Sequence, residues 1–261
     1  MKLNYCLLAI AAICGSACNK IQDHYSDILH GKPATCKLTE IRNAITDPTA
    51  NVTYLCELTY NSWGYPNSTT FTNYDPLSAD DFVYTFNFAY DSRKRIQSLT
   101  SDFVYYGGLH YYGYNGNSLL PVRDTIPDVM GAYEVNDLER DGFGRVVKIT
   151  TRHGWYIPEN NYPIPETTVK SYYYDQNGNR QENPSNANYP GLIKYSKKPS
   201  LYSLHPVWEI VYHNSSRNLP EILAEYNNKG YPTFVLGLTP NNWTPFLIAQ
   251  DNSNLHYECK K

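Results

Sequence analysis

The chain has 261 residues, a formal net charge of −3 and 15% aromatic residues, with 26 tyrosines among them. This near-neutral, slightly acidic balance provides no basic field for nucleic acid, and no nucleic-acid partner is expected. So many tyrosines beside a hydrophobic fraction of 41% favour pleated, half-buried sheet over disorder, in one large all-β domain or two smaller ones.

Residues 1–17 have the layout of a signal peptide. Lys2 supplies a positive start, Leu7 to Ile13 an apolar core too short to span a bilayer, and Gly15-Ser16-Ala17 a small-residue site. Cys18 follows directly and is similar to the cysteine of a bacterial lipobox, although Gly15 stands where leucine is usual. Lipid on Cys18 would make it the first mature residue, anchored at the outer membrane of a Gram-negative envelope. The alternative is ordinary cleavage near Ala17 and soluble secretion. Residues 18–35, with Gly31 and Pro33, read as a tether, and residues 36–261 as a single β domain. Asp23–His30 is the one weak helical candidate.

Of the six cysteines, Cys6 and Cys14 fall in the removed segment and Cys18 carries lipid. Cys36, Cys56 and Cys259 remain, enough for one disulfide. A Cys36–Cys56 bridge flanking the first hairpin is expected; the other pairing, Cys36–Cys259, would clasp the first strand to the last. Neither set has the spacing of a zinc site.

From Cys36 onward, short alternating runs are separated by turn formers. Two stretches read almost alike: Tyr60-Asn61-Ser62-Trp63-Gly64-Tyr65-Pro66 and Tyr226-Asn227-Asn228-Lys229-Gly230-Tyr231-Pro232. An aromatic residue ends a strand, Asn or Asp bonds its own backbone, and glycine supplies a positive φ for the return. Tyr174–Arg180 is a full copy, Arg140–Val146 keeps Asp and Gly, and Tyr90–Ile96 has Lys94 in the glycine place. His213–Pro220 is longer and lacks glycine. Phe82–Tyr90 is the clearest strand, aromatic at every even position, so one face is packed. Leu219–Tyr226 and Arg145–Thr151 also alternate, with charges such as Glu221 and Lys148 inside them. Those charges argue against a barrel whose outer face lies in lipid.

The aromatic-Asp-x-x-Gly-x-Arg form resembles the tyrosine–aspartate repeats of bacterial Rhs-type shells. It is also similar to lipid-anchored envelope proteins of gut-type Gram-negative bacteria that carry such hairpins in a domain of unknown function with a porin-like fold. The resemblance runs from about Thr35 to the C-terminus and implies no catalytic residue, because the shared positions are turn formers.

About 12–14 strands are predicted, in an antiparallel up-and-down meander that curves strongly or closes into a barrel, since a twisted sheet of that size seldom stays open. Tight turns at Asn61, Asp91, Asp141, Asp175 and Asn214 should gather at one edge. The long connections Thr72–Asp81, Gly107–Gly131, His153–Glu166 and Asn183–His205 should gather at the other, and the count places Asn227 with the long loops. The interior is expected to be lined by Tyr, Phe, Leu, Val and Ile.

Nothing in the chain has the form of a catalytic elbow, a phosphate-cradling loop or a metal-binding helix. His110, His153 and His205 fall in or near different long loops; they read as solvent-facing, with a shared centre the minor reading. No metal or cofactor is expected. The aromatic, glycine-rich stretch from Tyr105 to Asn117 is the one candidate binding loop. Tyr111, Tyr112 and Tyr114, with Trp155, would form a rim for a glycan or peptide, or else simply plug the open end of the sheet. The expected function is a non-enzymatic, lipid-anchored envelope protein whose β-meander is a binding or interaction module. A structural or assembly partner in the periplasm, with no small ligand, is the alternative.

Overall fold

The computed structural model describes residues 36–43, 54–73, 82–101, 109–127, 132–155, 166–182, 194–220, 224–235 and 253–259. The signal, lipidation and tether readings, and the Asp23–His30 candidate, lie outside these residues. The strands are β1 (Cys36–Asn43), β2 (Tyr54–Tyr60), β3 (Pro66–Asn73), β4 (Phe82–Tyr90), β5 (Ile96–Ser101), β6 (His110–Tyr114), β7 (Pro121–Pro127) and β8 (Ala132–Arg140). They continue with β9 (Val146–Trp155), β10 (Glu166–Tyr174), β11 (Arg180–Glu182), β12 (Tyr195–Pro199), β13 (Asn218–Pro220), β14 (Ala224–Tyr226), β15 (Pro232–Val235) and β16 (Ser253–Cys259). A 14-stranded sheet runs in the order β11 back to β1 and then β16, β15, β14, with β12 and β13 paired separately. All pairings are antiparallel, so the predicted meander is the observed architecture.

Five turns share one local geometry. At Asn61, Asp91, Asp141, Asp175 and Asn227 the side-chain Oδ1 accepts the backbone N–H groups two and four residues on. The residue's own N–H donates to the carbonyl four residues on, and its carbonyl accepts from the residue three on. That third residue has positive φ: Gly64 +84°, Lys94 +61°, Gly144 +77°, Gly178 +79° and Gly230 +83°. Lys94 therefore adopts the left-handed conformation in spite of its side chain. Beyond the Asn61, Asp91, Asp141 and Asn227 turns, and at the Tyr114–Pro121 hairpin, the register shifts by one residue, a bulge that increases strand twist. Gly230→Ala isolates the backbone term, because an added Cβ would meet nothing within 4 Å. It is expected to cost about 1 kcal/mol in chemical denaturation, from the left-handed φ alone.

The tyrosines before the turns tie neighbouring hairpins together. Tyr60, Tyr90, Tyr114 and Tyr174 donate their hydroxyls to the carbonyls of Leu38, Pro66, Ile96 and Val146. Where the repeat has Arg140 in place of tyrosine, its Nε donates to the Pro121 carbonyl at 3.2 Å. Each target from Pro66 on is the first residue of a returning strand, so the hairpins that follow Tyr90, Tyr114, Arg140 and Tyr174 each lock onto the returning strand of the one before. Arg95 adds a second tie: it bonds Asp91 Oδ2 at 2.7 Å and lies 4.3 Å from the centre of the Tyr114 ring. Arg145 does the same between Asp141 and Tyr174.

The inner face is covered by the chain's own insert, residues 194–220. A 3₁₀ turn (Tyr202–Leu204) leads into the helix α1 (Pro206–Val211), which starts on a proline and is capped by His205, whose Nδ1 accepts from the Val207 N–H at 3.2 Å. Val207, Trp208, Ile210 and Val211 are all buried. They join Leu38, Ile41, Cys56, Phe86, Phe88, Leu99, Tyr112 and Leu255 in one cluster that draws on β1–β6 and β16. A six-residue helix is only about 9 Å long, whereas β14 through β6 laid flat would span roughly 40 Å. The sheet is accordingly strongly curved around α1.

Among the described residues the strand ladder does not close. The insert instead spans the gap between β11 and β14: the Arg180 N–H donates to Ser216 Oγ, the Asn218 N–H to Asn179 Oδ1, and Lys198 Nζ stands 4.9 Å over the Tyr226 ring.

Several expectations are corrected by this architecture. Within the Gly107–Gly131 stretch the described residues 109–127 hold the β6–β7 hairpin, and the Asn183–His205 stretch includes β12 and the 3₁₀ turn. The Asn214 region follows a helix rather than joining two strands of the sheet. Leu219 and Tyr226 belong to different sheets. Asn227 lies on the same edge as the other tight turns, because the insert breaks the meander between β11 and β14 and resets the count. The disulfide is Cys36–Cys259, and Cys56 is buried and outside any disulfide. The reason is register: β1 pairs along its length with β16, which puts Cys36 opposite Cys259, whereas Cys56 stands opposite Ile41.

Candidate functional site

The strongest concentration of ionisable groups lies where the insert meets β6 and β7. Asp124 on β7 is fully buried. His110, at the start of β6, places Nδ1 at 3.0 and 3.1 Å from its two carboxylate oxygens. His213, just past α1, places Nε2 at 3.2 Å. His213 has a φ of +50°, and its carbonyl accepts from the Arg180 side chain at 2.8 Å, so the contact fixes the end of the helix to both the floor and the seam. Tyr112, directly opposite Asp124 in register, is buried and its ring stacks beside His110 at 6.1 Å.

Burial alone would raise the Asp124 carboxyl. The charge and hydrogen bond of His110, followed by those of His213, outweigh it and hold the carboxyl well below its usual range. For His110 burial acts downward, but the Asp124 carboxylate, with Glu134 behind it, raises the imidazole. Along the same inner row Thr151 donates to Asn136 Oδ1 at 2.6 Å, and Asn136 donates to Glu134 at 2.7 Å. On α1, burial pushes the Glu209 carboxyl up to about 7, opposed by Ser215, Arg140 and Arg217. Chemically this is an ionic clasp: one carboxylate shared by two imidazoles away from solvent.

The signs of these shifts give a pH profile. Asp124 contributes stability above the ordinary carboxylate range that is lost as pH falls through its lowered value. His110 contributes below about 6.5 and loses that contribution as pH rises through its raised value. Glu209 is stable when protonated, so its ionisation destabilises the fold between about 4.5 and 7. Stability should therefore be greatest near pH 4–5 and decline towards pH 8. Glu209→Gln should flatten the alkaline side by about 1–2 kcal/mol, after discounting for the part of Glu209 that still meets water. Thermal melts of both proteins from pH 5 to 8 measure it.

Of the residues expected to form a binding rim, Tyr111, Tyr112 and Tyr114 do not share a surface, and the Trp155 side chain lies outside the described residues. Tyr112 is buried, and Tyr114 is half-buried with its hydroxyl on the Ile96 carbonyl. Tyr111 points to the opposite face of β6 and is 48% exposed. Trp155 ends β9 opposite Ala132. His110, His153 and His205 do not converge either: His205 caps α1 against the Tyr65 ring, with burial and then the Lys37 charge pulling its imidazole down to about 4, and His153 stands 3.4 Å from Glu134. The pair that does converge is His110 with His213, which the sequence had assigned to separate, unrelated loops. Among the described residues no group of three or more His, Cys, Asp or Glu could hold a metal ion.

The outward face mixes charged pairs with exposed apolar side chains, Val83, Tyr111, Val122 and Val169 among them. Asp137 bonds both Arg123 and Arg152, Lys148 bonds Glu139 at 2.6 Å, and Arg42 pairs with Glu40. Such charges at mid-strand would cost about 2–4 kcal/mol each at the midplane of a bilayer.

No family model matches the chain, and no curated protein matches it. Among solved structures it is similar to a porin-like protein from Bacteroides uniformis, with a TM-score of 0.51 and 14% identity over 88% of this chain and 98% of that one. That likeness shows a porin-like fold. Here the space inside that fold is occupied by α1 and the segment around it.

Proposed function

We propose that this chain is a non-enzymatic, lipid-anchored protein of the Gram-negative cell envelope, held at the outer membrane through Cys18, whose β-meander is an interaction module. The observation that carries the reading is the filled interior. Trp208 is completely buried and packs edge-on against Phe88 at 5.5 Å, so the porin-like sheet encloses its own insert rather than a water-filled passage. The charged pairs on the outward face support a domain that stands in water, and function then falls to its surfaces and edges. The porin-like neighbour from an envelope-bearing bacterium and the small-residue run before Cys18 both favour the location. A structural or assembly role without a small ligand is supported by the burial of Tyr112, which removes one ring from the expected glycan or peptide rim, and by the half-buried Tyr114, whose hydroxyl is taken by the Ile96 carbonyl.

Mass spectrometry of the mature N-terminus after expression in a Gram-negative host tests the anchor. The expected result is a first residue Cys18 carrying diacylglycerol and found in the outer-membrane fraction. An unmodified N-terminus in the soluble fraction contradicts it.

A further inference from the structure

We infer that the tight-turn edge of the sheet is a contact surface for an anionic phospholipid bilayer. The five Asx turns and the β6–β7 hairpin all fall on one edge, because each joins strands of the meander in the same sense. The shared hydrogen-bond geometry gives the second residue after each Asx a common place at the hairpin tip. Those places hold Trp63, Arg93, Phe143, Asn177 and Lys229.

Two of these are large apolar rings left in solvent, Trp63 at 52% and Phe143 at 67% exposure. Both carry cations alongside: Lys94 Nζ lies 5.2 Å over the Trp63 ring, and the Arg145 guanidinium 5.0 Å over Phe143. The tips themselves bear no carboxylate. Asp91, Asp141 and Asp175 stand one step back, each accepting backbone N–H groups of its own turn, and Asp91 and Asp141 are also paired with Arg95 and Arg145. Six strand spacings of about 4.8 Å separate the hairpins of Trp63 and Phe143, so the rings stand roughly 29 Å apart along the rim. This is a sparse aromatic belt among cations, which suits the headgroup region of an anionic membrane.

The same edge carries the start of β1, since Cys36 is joined there to Cys259. Any lipid on Cys18, eighteen positions earlier in the chain, would bring this edge towards the bilayer. The inference accords with the anchored reading but does not need lipid on Cys18.

The test uses the full-length chain carrying Cys18→Ser, so that no lipid can be attached, in co-sedimentation with vesicles of phosphatidylglycerol and phosphatidylcholine or of phosphatidylcholine alone. The expected result is binding to the anionic vesicles that weakens with salt and falls at least tenfold in Trp63→Ser/Phe143→Ser and in Arg93→Ser/Lys94→Asn. Melting temperatures of these tip variants, measured alongside, should stay within a few degrees of the parent, as suits exposed positions. Equal binding to both vesicle types, no binding to either, or binding untouched by both tip variants overturns the proposal, the second outcome pointing to a protein partner instead. Lipid on Cys18 is read separately by mass spectrometry, so loss of the anchor and loss of the contact surface are told apart.

Discussion

Replacing Trp208 with alanine should lower stability by about 3–5 kcal/mol, the usual cost of removing a fully buried tryptophan. The side chain has no exposed surface, packs edge-on to Phe88, and lies in the same cluster as Leu38, Ile41 and Leu99. For a domain of this length that corresponds to a fall of roughly 10 °C in melting temperature. The effect should exceed that of Val207→Ala, a smaller loss from the same helix. If α1 lay on the outside of the sheet, Trp208→Ala would cost no more than the few tenths of a kcal/mol typical of surface positions. Calorimetry of the two variants beside the parent separates these cases.

Removing the disulfide should have a comparable effect. Cys36 and Cys259 are separated by 223 positions, and the chain-entropy treatment assigns about 5 kcal/mol to a bridge closing so long a loop, as an upper value. The double variant Cys36→Ser/Cys259→Ser should therefore melt roughly 10 °C lower, with the loss concentrated where β1 meets β16. Cys56→Ala, by contrast, leaves the bridge intact and removes only one buried sulfur, so it should cost about 1 kcal/mol. Peptide mapping without reductant would show a Cys36–Cys259 linkage in the parent and in Cys56→Ala alike. A bridge involving Cys56 would reverse that pattern.

The hairpins were legible because their chemistry is local: an Asx side chain and a glycine three residues on set the turn by themselves, and even Lys94 follows the pattern at modest strain. What the tyrosines do was not legible. Their hydroxyls reach carbonyls some 18 to 28 positions back, and that target appears only once the hairpins stand side by side. The helix escaped notice because six residues offer too little periodicity, although Pro206 following His205, with Val207, Trp208, Ile210 and Val211 at helical spacing, is the signal that marks it.

The clasp was hidden for a different reason. His110, Asp124 and His213 come from β6, β7 and the turn just past α1, so only the fold brings them together, and the Asx-like stretch at Asn214 had suggested a hairpin there. The disulfide followed the same logic. Proximity in sequence favoured Cys56, but closure of β1 against β16 is a long-range event that local spacing does not report.

Residues 194–220 fill the inner face of the sheet. Cys56 reports on it directly, since its thiol is buried, is the cysteine outside the disulfide among the described residues, and is pushed up to about 12 by burial and then by the Glu57 charge. Iodoacetamide treatment of the native, non-reduced protein at pH 8, followed by mass spectrometry, should leave Cys56 unmodified until the protein is globally unfolded, and then alkylate it fully. Prompt alkylation of Cys56 in the folded protein would mean that water reaches the inner face and that the insert does not fill it.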